Sequence, residues 1–256
     1  MILYLLLFFV LGSAVGSFLN VVIDRTMRGE SILGRSHCEY CRATLSTLDL
    51  VPIVSFVGLG AKCRYCHRKL SWQYPLVESF SAVLFTLSFW VIVSSGAIDF
   101  FKLAFWLVVL SVMIVVFVVD LKFSLIPTSF VYAASLLSLF YVYFASPSPI
   151  FVDNVLAAFG AALFFLLIVL VTFGRGMGQG DIVLAFLIGM VLGVKATFLA
   201  IFLAFFSGAV ISIFLIILGK KRFGNTIPFG PFLVLGFIAS LFWSRVILNY
   251  YFKVLY

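Results

Sequence analysis

Gly174-Arg175-Gly176-Met177-Gly178-Gln179-Gly180-Asp181 sets four glycines in seven residues between two long apolar segments and closes on an aspartate. Glycine costs a helix interior roughly 1 kcal/mol per residue relative to alanine, so irregular backbone is expected here. In a membrane such backbone is tolerated only where protein or a water-filled cavity covers it. A carboxylate in that setting is a functional candidate. The plainer alternative is a connecting turn whose Asp181 caps the next helix. The stretch alone leaves both open.

The surroundings place it in a membrane. The chain has 256 residues, 64% hydrophobic and 10% charged, with mean hydropathy +1.27. A soluble domain carries about 25% charged residues, so the reading is an all-α polytopic membrane protein. A span needs roughly 20 apolar residues. Eight segments qualify, at about 1–23, 77–95, 100–119, 127–145, 154–173, 182–194, 196–218 and 229–249, the sixth being short. Apolar sequence begins at Met1 with no basic stretch before it, so residues 1–23 read as a retained first helix. Three parts follow: that first helix, a polar segment 24–76, and a membrane domain 77–256.

Lysine and arginine orient such a chain. Thirteen of the 17 fall on one side: eight in residues 24–76, then Lys122, Arg175 and Lys220-Lys221-Arg222. That side is expected to be cytoplasmic, with both termini outside. The net charge of +8 is thus spent on orientation and lipid, and no nucleic-acid partner is expected. The same topology brings Asp120, ending the third span, and Asp181, opening the sixth, to one membrane face. Asp99 and Asp153 fall in outer loops and read as solvated.

The four cysteines form two CxxC pairs, Cys38/Cys41 and Cys63/Cys66, with 21 residues between them. Two such knuckles suit one tetrahedral zinc, each offering two thiolates. A cytoplasmic site argues against disulfides. Four thiolates close the shell, so the zinc reads as structural, with His37 and His67 as bystanders.

Several stretches together resemble one family, the type IV prepilin peptidases. They are Gly16-Ser17-Phe18-Leu19-Asn20-Val21-Val22 with Arg25, Arg28-Gly29-Glu30-Ser31, the two CxxC pairs, Asp49-Leu50-Val51-Pro52-Ile53, Gly60-Ala61-Lys62-Cys63-Arg64 and Tyr74-Pro75-Leu76-Val77-Glu78. Asp120-Leu121-Lys122-Phe123-Ser124-Leu125-Ile126-Pro127 resembles the family's first aspartate motif. Gly178-Gln179-Gly180-Asp181 resembles its GxGD signature, and Ile227-Pro228-Phe229-Gly230-Pro231 its C-terminal motif. Met27 and Glu39 stand where proline is common in the family; neither touches the aspartates.

The resemblance implies a multi-pass aspartyl endopeptidase of the bacterial inner membrane. It would remove the short basic leader of prepilins or pseudopilins at the cytoplasmic face. Many members also N-methylate the new terminus with S-adenosylmethionine; a peptidase without that second activity is the nearer alternative.

In the chemistry expected of the pair, one carboxylate activates water while the other, protonated, gives its proton to the scissile carbonyl oxygen. Helix dipoles point to Asp181 as the base and Asp120 as the acid. The short sixth segment points to an Asp181 recessed in a cytoplasmic cavity. Gly178 and Gly180 leave room for an extended substrate backbone. With no GxGxxG after a strand, a methyl-donor pocket would be built from the polar segment and the membrane face, with Glu30 and Glu78 as its acidic candidates. A different class, a transporter whose aspartates bind ions in broken helices, predicts paired halves; no second GxGD-like segment occurs. A non-enzymatic pilin-binding factor leaves the two aspartates unexplained.

Overall fold

A computed structural model describes residues 1–94, 96, 99–145, 147–174, 176–219 and 227–254. Arg175 and Lys220-Lys221-Arg222, used above for orientation, lie outside the described residues. The described chain is helical, its only bridges being His37 with Thr44 and Lys62 with Lys69. It forms two compact units, Met1–Val115 and Val116–Tyr256.

In the first unit, α1 (Ile2–Arg28) packs along α3 (Gln73–Ser94). The seam is set by two small residues one turn apart. A Cβ on Gly12 would come within 2.7 Å of Ala82 Cα, and one on Gly16 within 2.7 Å of Glu78 Cα. Between apolar helices in lipid, such close backbone approach takes the place of hydrophobic drive. Farther along, Phe8 stacks on Phe89 at 4.5 Å. The helix outruns the apolar segment by five residues, and Gly29 stops it in the left-handed conformation (φ 66°). Between α1 and α3 lie a 3₁₀ turn (Thr47–Leu50) and the short α2 (Val54–Gly58). In this segment the buried hydrophobic residues are Cys38, Phe56 and Cys63. A core this small calls for a metal. The first part of α4 (Phe100–Phe123) also belongs to this unit; Asp99, read as solvated, accepts the Lys102 N–H at 2.9 Å at its start.

The second unit takes the end of α4, then α5 (Thr128–Ala145), α6 (Ser148–Val171), α7 (Gln179–Ile217) and α8 (Gly230–Val254). Proline precedes α5, α6 and α8, where a missing N–H costs nothing. Seven described helices are long and apolar enough to cross a bilayer, one fewer than the eight segments. The difference lies in α7. Its 39 residues would make a rod of about 58 Å if straight. Gly193, at φ 72° and ψ 174°, breaks it.

The neighbours show that the chain turns back there. Before the break, Phe186 meets Phe159, Gly189 meets Ala158, and Met190 accepts from Asn154, so this limb runs against α6. After it, Phe205 meets Phe164 and Phe165, so the second limb runs with α6. The limbs, residues 179–192 and 194–217, therefore correspond to the sixth and seventh segments, so each of the eight apolar segments has its own helix or limb. The break is clamped from α6. Asn154 Nδ2 donates to Met190 O at 2.7 Å, and Val194 N–H donates to Asp153 Oδ2 at 3.1 Å. These bonds serve backbone groups that the interrupted helix leaves unpaired. Asp153 is thus not simply a solvated loop charge, as its position in the sequence suggested.

Candidate active site

Asp120 occupies the last turn of α4 and Asp181 the first turn of α7, both in the second unit. They are buried, at 4% and 6% exposure. They also lie close enough for the Asp120 charge to act on Asp181. A sequence separation of 61 residues thus closes to one site. Asp181 is also the helix cap that its position suggested: the Gly178 N–H donates to Asp181 Oδ2 at 3.0 Å. The two readings of the glycine stretch are compatible, because capping occupies one oxygen only. The other, Oδ1, is buried with no partner. A buried acceptor left open is a place for a water or a substrate donor.

The third motif enters through Gly230, the first residue of α8, to which the sequence reading gave no role. Its N–H donates to the Asp120 carboxylate. A Cβ there would lie 2.5 Å from Asp120 Oδ2. Asp120 therefore ends one helix and faces the start of another. Both carboxylates meet a helix N-terminus, which narrows the dipole asymmetry used to assign base and acid, although Asp120 alone also ends a helix. The two site glycines of the GxGD stretch differ. A Cβ on Gly180 would sit 2.8 Å from Ile126 Cβ, so this glycine fits α7 against the segment that follows Asp120. A Cβ on Gly178 would meet nothing closer than 3.7 Å, so packing does not require glycine there.

In the first unit, Cys38, Cys41, Cys63 and Cys66 bring their sulfurs within 4.8 Å of one another, with Cys38 and Cys66 at 3.9 Å. A zinc tetrahedron with bonds of about 2.3 Å sets its sulfurs about 3.8 Å apart, so the cluster fits. The two knuckles are built alike. Arg42 N–H bonds Cys38 O and His67 N–H bonds Cys63 O, each at 3.0 Å. Arg42 and His67 both turn left-handed, at φ 58° and 56°. His67 thus shapes a knuckle, and neither histidine joins the cluster of described ligands. Burial pushes the Cys63 thiol up, but backbone N–H groups of Cys66 and Tyr65 outweigh it and hold it at about 7. The Arg68 N–H favours the Cys66 thiolate, yet burial and the other three sulfurs push it up to about 11. Such competition for protons is what a divalent cation relieves.

Asp49 ties the module together. It accepts from Ser46 N and Oγ at 3.0 and 2.9 Å, and from Arg64 Nε at 2.6 Å beside the second knuckle. Burial raises its carboxyl, but Arg64 and Ser46 more than offset this and hold it below the usual range. Arg25 supports the loop before the first knuckle by donating to the carbonyls of Ser31, Ile32 and Arg35. Glu30 and Glu78 line a cavity of about 200 Å³ in this unit, Glu78 buried and Glu30 exposed.

The family model for the bacterial peptidase A24 N-terminal domain matches residues 10–92, which hold the four cysteines, Glu30 and Glu78. The model for the type IV leader peptidase family matches residues 107–213, which hold Asp120 and Asp181. No solved structure matches the chain. A prepilin leader peptidase/N-methyltransferase of Bacillus subtilis is 32% identical, over 96% of this chain and 97% of that protein. One from Legionella pneumophila is 30% identical, over 93% and 91%. A type 4 prepilin-like proteins leader peptide-processing enzyme of Escherichia coli is 31% identical, over 90% and 91%. With both domain models matching in order around the paired aspartates, and this identity sustained along nearly the whole length, the chain belongs to the type IV leader peptidase family.

Proposed function

We propose that this chain is a membrane aspartyl endopeptidase. It removes the leader of type IV prepilins or pseudopilins and then methylates the new N-terminal amine with S-adenosylmethionine. The observation that carries the first activity is the buried pair Asp120 and Asp181, the two acids brought together in the second unit, each met by a glycine N–H. Two carboxylates that act on one another resist double ionisation and share a proton. The ionised one takes a proton from water as its oxygen attacks the scissile carbonyl. The protonated one gives its proton to the carbonyl oxygen. Collapse then breaks the C–N bond, and the amine leaves with a proton. Gly178, which packing does not require, leaves a path for the extended substrate backbone.

The relatives' names carry the second activity. The zinc module and the aspartate pair are assigned to the cytoplasmic face, because basic residues concentrate on that side. Asp120→Asn and Asp181→Asn should each abolish cleavage of a prepilin peptide by inserted protein. Substantial cleavage by either variant would sink the assignment. An ion-binding transporter would leave the peptide intact in the wild type as well.

A further inference from the structure

The chain has only nine acidic residues, and five of them, Asp24, Glu30, Glu39, Asp49 and Glu78, line a single cavity in the first unit. Its lining holds three arginines. Each has a partner. Arg25 is spent on three carbonyls, Arg28 pairs with Glu39, and Arg64 pairs with Asp49. In a protein of net charge +8, this cavity has an acidic excess, five carboxyl groups against three arginines.

Glu78 stands out within it. It is 7% exposed and lies in the first turns of α3, where Ile53 N–H donates to Glu78 Oε2 at 2.7 Å. No ion pair to it occurs among the described residues. The Ser17 side chain also bonds it, yet a buried carboxylate without a counter-charge remains costly, and a cation entering the cavity offsets that cost. The backbone that reaches it is itself constrained. Ile53 is at φ 62° and ψ −51°, a conformation a β-branched residue adopts only under constraint.

Resting on the methylation reading above, we propose that this cavity is the methyl-transfer site and that Glu78 is its proton acceptor. Both reactants are cations: the donor is a sulfonium and the acceptor arrives as an ammonium. An ammonium has no lone pair, so it must lose a proton before it attacks. Glu78 accepts that proton. The amine nitrogen then bonds the methyl carbon as the C–S bond breaks, its electron pair returning to sulfur. The products are the N-methylated terminus and a neutral thioether, whose lost charge favours release from an acidic wall. The volume is below the roughly 300–1,000 Å³ of a whole drug-sized site. It therefore takes the reacting end of the donor, while the remainder lies in the open mouth.

The test uses full-length protein in lipid nanodiscs, a prepilin peptide and S-adenosylmethionine, with cleavage and methylation read separately by mass spectrometry. Glu78→Gln keeps an acceptor for Ile53 N–H and removes the charge. It should keep zinc and cleavage while methylation falls about 100-fold or more, the usual loss of a general base. Photo-crosslinking of labelled S-adenosylmethionine to the unaltered protein should mark residues of the cavity wall, whatever the variant does. Wild-type methylation by a folded Glu78→Gln, or label confined to residues outside the wall, overturns the proposal. A wild-type protein that cleaves but neither binds the donor nor methylates overturns the methylation reading, and this site with it.

Discussion

At the scale of single residues, Gly230 shows how closely the proposed peptidase site is fitted. The only space for its side chain is taken by the Asp120 carboxylate. Gly230→Ala should push that carboxylate aside, and misplacement by about 1 Å costs on the order of 100-fold in rate. The loss is expected in kcat with little change in KM. Gly178→Ala should do the reverse, because its Cβ has room in the free enzyme but stands in the proposed path of the substrate. Steady-state kinetics on a prepilin peptide separate the two; equal effects of both variants on KM would refute the distinct roles. Asp120, Asp181 and the four cysteines were legible in the sequence because each lies in a short motif tied to definite chemistry. Gly230 was visible only as part of a motif. Its task depends on where α8 begins in space, and no local pattern encodes that.

At the scale of elements, the reversal in α7 depends on Gly193 and the two α6 residues that hold it. The segment boundary near Lys195 was legible from hydropathy, and the break falls within two residues of it. The clamp was not, because Asp153 lies 40 residues earlier and nothing local links the two. Gly193→Ala places a Cβ at positive φ and against the Asp153 carboxylate. Strain of this kind costs about 1–3 kcal/mol, and the protein should unfold at a lower temperature in a detergent thermal-shift assay. Gly160→Ala in α6 is the matched control, since its Cβ meets nothing within 4 Å. Replacing a helical glycine should raise stability there by up to about 1 kcal/mol. If both variants shift the midpoint in the same direction, the clamp does not constrain the fold.

At the scale of the molecule, the proposed chemistries divide between two units, and zinc should tell them apart. One zinc per chain is expected. Cys38 and Cys63 also line the cavity that holds Glu78, so Cys63→Ser should loosen residues 24–75 to proteolysis and depress methylation. Cleavage should persist, because Asp120 and Asp181 lie in the other unit. Protein purified without oxygen and found free of zinc by elemental analysis would refute the metal site. Division into units also bears on how the chain is made. Residues 179–192 form only about 21 Å of helix, short of a hydrocarbon layer near 30 Å, and carry Asp181 at the leading end. Emerging alone from the insertion machinery, this limb gains little by leaving it. Residues 194–217 supply about 36 Å more and double back beside it. The two limbs therefore have reason to enter the bilayer together, as a hairpin released only after residue 217 has been synthesised. A half-made chain would then have Asp120 in the membrane and Asp181 not yet inserted, so the proposed catalytic pair would still be incomplete.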